Sequence, residues 1–281
     1  MKKLRFIVSL TTDDNDYQIE QAQCAEDAAR KLGVELQVIY ADNDAITQST
    51  QLLKAIQAEA SHRPDAIVFE PVGGTALPQV ARAAASAGIG WAILNRDANY
   101  APELRKSSPA PVFVLTSDHL EIGRIQGRQI AALVPHGGAV LCIQGPGENS
   151  AAKDRTAGMQ ETKPANVHPT LLRAQWTEES SQKAVRSWLK LTTSRKAFEE
   201  LPDETEKERW LSLPFLGCDG LPKTGQAWVK SGLLAATIFV PPNAGQAIEM
   251  FVEAFQRGKQ PPERALTVPV SVPPLNELKR R

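Results

Sequence analysis

Short apolar runs separated by polar, helix-patterned stretches dominate the chain from Leu4 onward. The runs are Leu4–Leu10, Glu35–Tyr40, Ala66–Glu70, Gly90–Asn95, Val112–Thr116, Ala139–Gln144, Thr170–Trp176, Pro214–Gly217 and Leu234–Val240. Several are continuous rather than alternating, which marks strands covered on both faces, as in a parallel sheet. Between them, apolar residues recur at helical spacing. Ile19, Ala22, Ala25, Ala29 and Leu32 precede Gly33, and Leu52, Leu53, Ile56 and Ala60 form a second stripe. Val80, Ala84 and Ala87 precede Gly88; Ile122, Ile125, Ile130 and Leu133 follow; Ile248, Phe251, Val252 and Phe255 precede Gly258. Glycine directly after such a stripe is a helix stop, because it takes the left-handed conformation without Cβ strain. Alternating strands and helices predict a doubly wound α/β architecture with right-handed crossovers. Nine strands exceed what one compact lobe needs, so the pattern predicts two Rossmann-like sheets in two lobes.

The length of 281 residues suits that division. Proline-rich punctuation marks where the chain passes between lobes. The segment Asn99–Pro111 with the strand after it, Pro241-Pro242 and Pro261-Pro262 are the expected passages. Lobe 1 is then residues 1–116 plus 241–262, and lobe 2 is residues 117–240 plus 263–281. The stretch Ala265–Leu275 adds a short extended piece.

Composition narrows the function classes. Hydrophobic residues make up 42% and charged residues 23%, the mix of a folded globular chain. The 32 Lys and Arg balance the 32 Asp and Glu. A zero net charge argues against a nucleic-acid binder, which needs a basic face, and against reliance on anionic lipid. Cys24, Cys142 and Cys218 sit in apolar patterns and read as buried free thiols rather than a disulfide framework. The basic Met1–Arg5 segment precedes only five apolar residues, too few for a signal-peptide core, so it reads as the entry to a first strand. An exported form would have its leader removed. No run approaches the roughly 18 apolar residues of a membrane span, so no membrane insertion is expected.

Ligands in open α/β sheets bind at the carboxyl ends of strands. Thr11 to Tyr17 follow the first strand, Glu70 ends the third, and Asn95-Arg96-Asp97 end the fourth. Gly145–Ser150 with Lys153-Asp154-Arg155 follow the sixth, Trp176 ends the seventh, and Cys218-Asp219-Gly220 follow the eighth. The set mixes planar donors (Arg96, Arg155), acceptors (Asp13, Asp14, Asp219), amides (Asn15, Asn95) and aromatic plates (Tyr17, Trp176). It suits a polyhydroxylated ligand such as a sugar, whose hydroxyls meet Arg and Asp while its C–H faces meet rings. The bland alternative is that these are ordinary loop residues, with the Asp13–Asp16 run acting as a helix N-cap. Enzyme signatures are absent: there is no phosphate loop, no G-x-S-x-G elbow, and His62, His119, His136 and His168 lack metal spacing.

The residues resemble a known family. Asp65–Pro71 (DAIVFEP), Ala92–Asp97 (AILNRD), Ser117–Gly127 (SDHLEIGRIQG), Gln144–Gly158 (QGPGENSAAKDRTAG), Gly217–Gly220 (GCDG) and Leu234–Ile238 (LAATI) occur in the order seen in sugar-type periplasmic binding proteins. These are the ribose-binding group, which shares its fold with LacI-type effector domains. The resemblance covers nearly the whole chain and implies two lobes joined by a three-strand hinge that closes on the ligand. It implies ligand contacts at Asp14 or Asn15, Tyr17 with Gln18, Asn95, Arg96, Arg155, Trp176 and Asp219. It also implies no catalytic residue, no cofactor, a monomer in the periplasm or outside the cell, and an ABC permease as partner. A ligand-sensing regulatory module and a sugar-modifying enzyme are the alternatives.

Two departures stand out. The polar residue expected after LAATI falls on apolar Phe239-Val240, with Asn243 or Gln246 as substitutes. A strand ending in an Asn-Asp ligand motif, with its helix, is implied between the helix after Trp176 and GCDG, but Ser187–Arg195 run straight into Lys196–Glu199. The expectation is that residues are omitted close to Thr193–Lys196, since a central strand is not removed cheaply from a packed sheet.

Overall fold

The computed structural model describes residues 3–72, 76–189 and 203–278. In chain order it holds β1 (Arg5–Leu10), α1 (Asp16–Leu32), β2 (Glu35–Tyr40), α2 (Ala45–Gln57), β3 (Ala66–Phe69), α3 (Pro78–Ser86), β4 (Gly90–Leu94), α4 (Ala101–Ser107) and β5 (Val112–Ser117). Next come α5 (His119–Leu133), β6 (Gly138–Gln144), α6 (Ser150–Thr162), β7 (Val167–Arg173), α7 (Glu178–Leu189), α8 (Glu204–Leu211), α9 (Gly225–Lys230) and β8 (Thr237–Phe239). The last are α10 (Ala244–Arg257), β9 (Arg264–Thr267) and β10 (Val270–Val272). Two compact units result: Met1–Ser117 with Pro241–Val268, and Asp118–Val240 with Pro269–Arg281.

The first unit carries a six-stranded sheet in the order β2-β1-β3-β4-β5-β9, with every pairing parallel. Strands β3 and β4 are wholly buried because helices cover both faces. On one face α1 and α10 bury Phe6, Val8, Phe113 and Phe251, with the Phe113 and Phe251 rings 4.8 Å apart. On the other, α2, α3 and α4 bury Ile67, Phe69, Trp91 and Ile93. Each large side chain fully buried in this way contributes roughly 1.5–3 kcal/mol. Asn15 and Asp44 start α1 and α2 by accepting backbone N–H groups, and Gly33 stops α1 at φ 68°.

The second unit is built on a close α5–α6 pair. A Cβ on Gly123 would lie 2.0 Å from the Arg155 carbonyl oxygen, and one on Gly158 would lie 2.0 Å from that of Leu120. Only glycine lets the two backbones touch there, and this contact fixes the position of Arg155. Gln129 ties α5 to the neighbouring strands, donating from Nε2 to the Thr237 carbonyl at 3.1 Å and to Ser271 Oγ at 3.0 Å. Among the described residues the strands here form two separate pairs, parallel β6–β7 and antiparallel β8–β10. The predicted strand Pro214–Gly217 reduces to a single bridge between Leu216 and Ala236. The expected omission near Thr193–Lys196 lies outside the described residues.

Three boundaries differ from the sequence pattern. The strand expected at Thr170–Trp176 is β7, displaced to Val167–Arg173, so Trp176 stands beyond it. The first passage narrows to Ser117, the end of the strand after Asn99–Pro111, because that segment holds α4, packed within the first unit. Residues 263–268, expected in the second lobe, belong to the first unit, because β9 pairs in register with β5 (Leu115 with Ala265). The prolines at 261 and 262 thus introduce an edge strand, and the third passage falls after Val268.

Candidate functional site

In the first unit a polar network sits at the carboxyl ends of β1, β3 and β4. Glu70, one residue past β3, is only 5% exposed. Its Oε2 accepts from Gln18 Nε2 at 3.1 Å and from Asn95 Nδ2 at 3.2 Å. Asn95 Nδ2 also points to the Tyr17 hydroxyl at 3.4 Å, and its Oδ1 accepts from Asn243 Nδ2 at 2.9 Å. Asn243 is held in turn by Gln21, whose Nε2 donates to Asn243 Oδ1 at 2.9 Å. Gln21 Oε1 receives the backbone N–H groups of Asn243 and Ala244, each at 2.8 Å, and so caps α10. The Tyr17 hydroxyl donates to the Pro241 carbonyl at 3.4 Å.

The remaining predicted residues of this unit have mixed duties. Asn15 Oδ1 is taken up in capping α1, at 2.9 Å from the Tyr17 N–H. Asp14 accepts from Thr12 Oγ1 at 2.6 Å. Arg96 Nη1 donates to the Asn95 carbonyl at 2.7 Å, while its Nε is buried without a partner.

In the second unit Arg155, on α6, is the hub. Its Nη2 lies 3.6 Å from Asp219 Oδ1, its Nη1 donates to Cys218 Sγ at 3.3 Å, and its Nε points to His119 Nδ1 at 3.4 Å. Its guanidinium lies over the Trp176 ring, 5.4 Å from the centroid, a cation–π geometry. The Arg155 side chain is 15% exposed, whereas Trp176 is 44% exposed. A Cβ on Gly145 would come within 2.0 Å of the Trp176 ring, so this glycine lets the indole lie against the loop after β6. Burial pushes the Cys218 thiol up to about 12, with the Arg155 charge opposing. Cys218 is therefore an unreactive neutral partner at ordinary pH.

Asn95 (φ 54°), Trp176 (φ 62°) and Asp219 (φ 64°) all hold left-handed backbone. Non-glycine residues rarely do so, and such outliers concentrate at functional sites, where surrounding structure holds them in place. Sequence reasoning places Glu70 at a strand end without making it a ligand contact, names Gln18 beside Tyr17 and Asn243 as a substitute contact through the resemblance, and gives His119 no role. One signal was available for Glu70: a charge that ends a continuous apolar run must be accommodated inside the fold. Among the described residues no cluster of His, Cys, Asp and Glu could hold a metal ion, and no helix is long and apolar enough to cross a membrane.

Comparison with known proteins places the chain. A Rhizobium meliloti protein named for rhizopine binding is 32% identical over 137 residues, which is 48% of this chain and 42% of that protein. The chain thus matches less than half the length of this curated relative. An ABC transporter periplasmic solute-binding protein from Actinobacillus succinogenes 130z, with bound D-allose, superposes with a TM-score of 0.79 at 19% identity, covering 96% of this chain and 97% of that one. A Mycobacterium smegmatis protein in complex with β-D-fucofuranose gives 0.77 at 18% identity, over 95% and 90% of the two chains. A Caulobacter myo-inositol-binding protein gives 0.73 at 19% identity, over 95% and 92%. The model of the periplasmic binding protein domain matches residues 6–260, and the chain belongs to that family.

Proposed function

We propose that the chain is the extracytoplasmic solute-binding component of an ABC-type uptake system, and that it binds a small polyhydroxylated solute without transforming it. The observation that carries this reading is the pair of strand-end faces, one in each unit. The first offers Glu70, Arg96 and Tyr17; the second offers Arg155, Trp176 and Asp219. Carboxylate and guanidinium together match vicinal hydroxyls as acceptor and donor, and an aromatic plate matches the C–H face of a ring. Buried polar groups of this kind discriminate strongly, because a wrong ligand leaves them unpaired. Relatives of similar fold hold D-allose and myo-inositol, which supports the solute class. The reading gives hinge motion to the three chain passages, the motion by which such proteins close. An ABC permease is the partner that receives the solute.

A thermal-shift panel containing D-allose, D-fucose and myo-inositol tests it. A binder at a hundredfold excess over its Kd stabilises by about 2.7 kcal/mol, which raises Tm by several degrees in a protein of this size. The expected result is such a rise with the compound recovered unchanged. No shift with any polyol, or chemical conversion of one, contradicts the reading.

A further inference from the structure

We propose that His119 is a positioning residue for Arg155, and that its protonation weakens solute binding as the pH falls below neutrality. This rests on the solute-binding reading above and adds its regulation. His119, the first residue of α5, is buried. Its Nδ1 meets Arg155 Nε at 3.4 Å. A guanidinium carries N–H groups only and accepts nothing. The bond therefore sets the state of the imidazole: Nδ1 is the accepting nitrogen, the ring is neutral, and its one proton sits on Nε2. A ring protonated at both nitrogens would turn an N–H toward the Arg155 N–H and set two cations against each other.

Within the second unit the Arg155 guanidinium is held over the Trp176 ring by His119 at Nε, by Cys218 Sγ at Nη1 and by Asp219 Oδ1 near Nη2. Histidine is the side chain that ordinarily changes charge between about pH 5 and 8, whereas the Cys218 thiol lies up at about 12. Losing the acceptor at Nε lets the fork swing, and a fork no longer aimed meets paired solute oxygens less well. Other charges stand on the surrounding elements. Lys153 and Asp154 flank Arg155 on α6, where Glu161 pairs with Arg124 at 2.8 Å. On α5 itself Glu121 pairs with Arg128, and Asp118, the N-cap, accepts the Glu121 N–H at 2.9 Å. Strands β8 and β10, which pack on α5, carry no titratable side chain, and the 3-10 turn Leu275–Glu277 brings Glu277. The neutral ring is the binding form, so affinity is full above the histidine range and falls as the pH drops through it. An imidazole of ordinary pKa, about 6.5, is only about 3% neutral at pH 5, which weakens apparent affinity by up to about 30-fold.

Calorimetry from about pH 7.5 to about pH 5 with D-allose, D-fucose and myo-inositol tests this, with a ligand-free melt at each pH to show that the protein is folded. Wild type is expected to bind the best of the three about three- to thirtyfold more weakly at the acid end. His119→Asn puts Oδ1 near the place of Nδ1 and keeps an acceptor that does not titrate. It should bind within about threefold of wild type at neutral pH and change by less than about twofold across the range. His119→Phe keeps a ring but no acceptor, so it should bind about tenfold more weakly than wild type at neutral pH, again with a flat profile. A wild-type profile flat within about twofold overturns the proposal, as does a fall in His119→Asn as steep as in wild type. If His119→Asn does not fold, His119→Phe decides: wild-type affinity at neutral pH, or a wild-type fall toward acid, overturns it. Binding that ignores pH refutes the role of His119 and leaves the solute-binding reading standing; no binding of any of the three at any pH refutes both.

Discussion

Asn95 shows how a residue's position and its duty can part. Its strand-end place marks it as a ligand contact, but both ends of its amide are occupied within the protein, by Asn243 on one side and by Glu70 and Tyr17 on the other. Tyr100 is a second residue whose role comes from burial. Its hydroxyl donates to the Ala76 carbonyl and accepts from Trp91 Nε1 at 3.2 Å. Tyr100→Phe leaves a buried indole N–H and a carbonyl unpaired, so it should cost about 1–3 kcal/mol in urea unfolding. Desolvation raises this phenol from 10.0 to about 12. The unfolded chain therefore ionises first. The stability that Tyr100 contributes is complete below pH 10, falls as pH rises, and is gone above about 12. Denaturation across that range should show the fall in wild type and a shallower one in Tyr100→Phe. At this scale residue type and strand-end position proposed Arg96, Arg155, Trp176 and Asp219, and the structure draws Arg155, Trp176 and Asp219 together within the second unit. The bond between Gln18 and Glu70 was not legible in the sequence, because only tertiary structure brings the two together.

Among elements, the strands of the first unit were legible because helices on both faces make them continuously apolar, as in β3, β4 and β5. The second unit lacks that clarity. Leu171 in β7 is 40% exposed and Ile143 in β6 is 41% exposed, so apolar residues there do not mark a covered face, and the boundary of β7 was misplaced by three residues. The α5–α6 contact is the most exacting feature of this unit. Gly158→Ala would drive a methyl group into the Leu120 carbonyl. Overpacking of this kind costs typically 1–3 kcal/mol. It should lower Tm and also weaken solute binding, because Arg155 lies on the displaced helix. A variant with unchanged Tm and affinity would show that the helices separate freely, contrary to this account.

For the whole molecule, proline stands at the second passage, Pro241, but not at the first, after Ser117, and Pro261-Pro262 do not mark the third. There β9 completes the first sheet before the chain leaves after Val268. That error has a plain cause: Pro261-Pro262 and Pro269 offer equal punctuation, and only strand pairing chooses between them. If the three passages act as a hinge, a saturating solute should reduce the radius of gyration in solution scattering; an unchanged profile with proven ligand counts against closure. The central claim is that the chain binds a small polyol through these strand-end residues. Calorimetry of the best-binding polyol against wild type, Arg96→Ala and Arg155→Lys tests it most directly. Arg96 belongs to the first unit and Arg155 to the second, and losing a buried, charge-assisted contact to the ligand weakens binding by about tenfold or more. The account predicts that loss in both variants with little change in ligand-free Tm. A loss below about threefold in either one contradicts it.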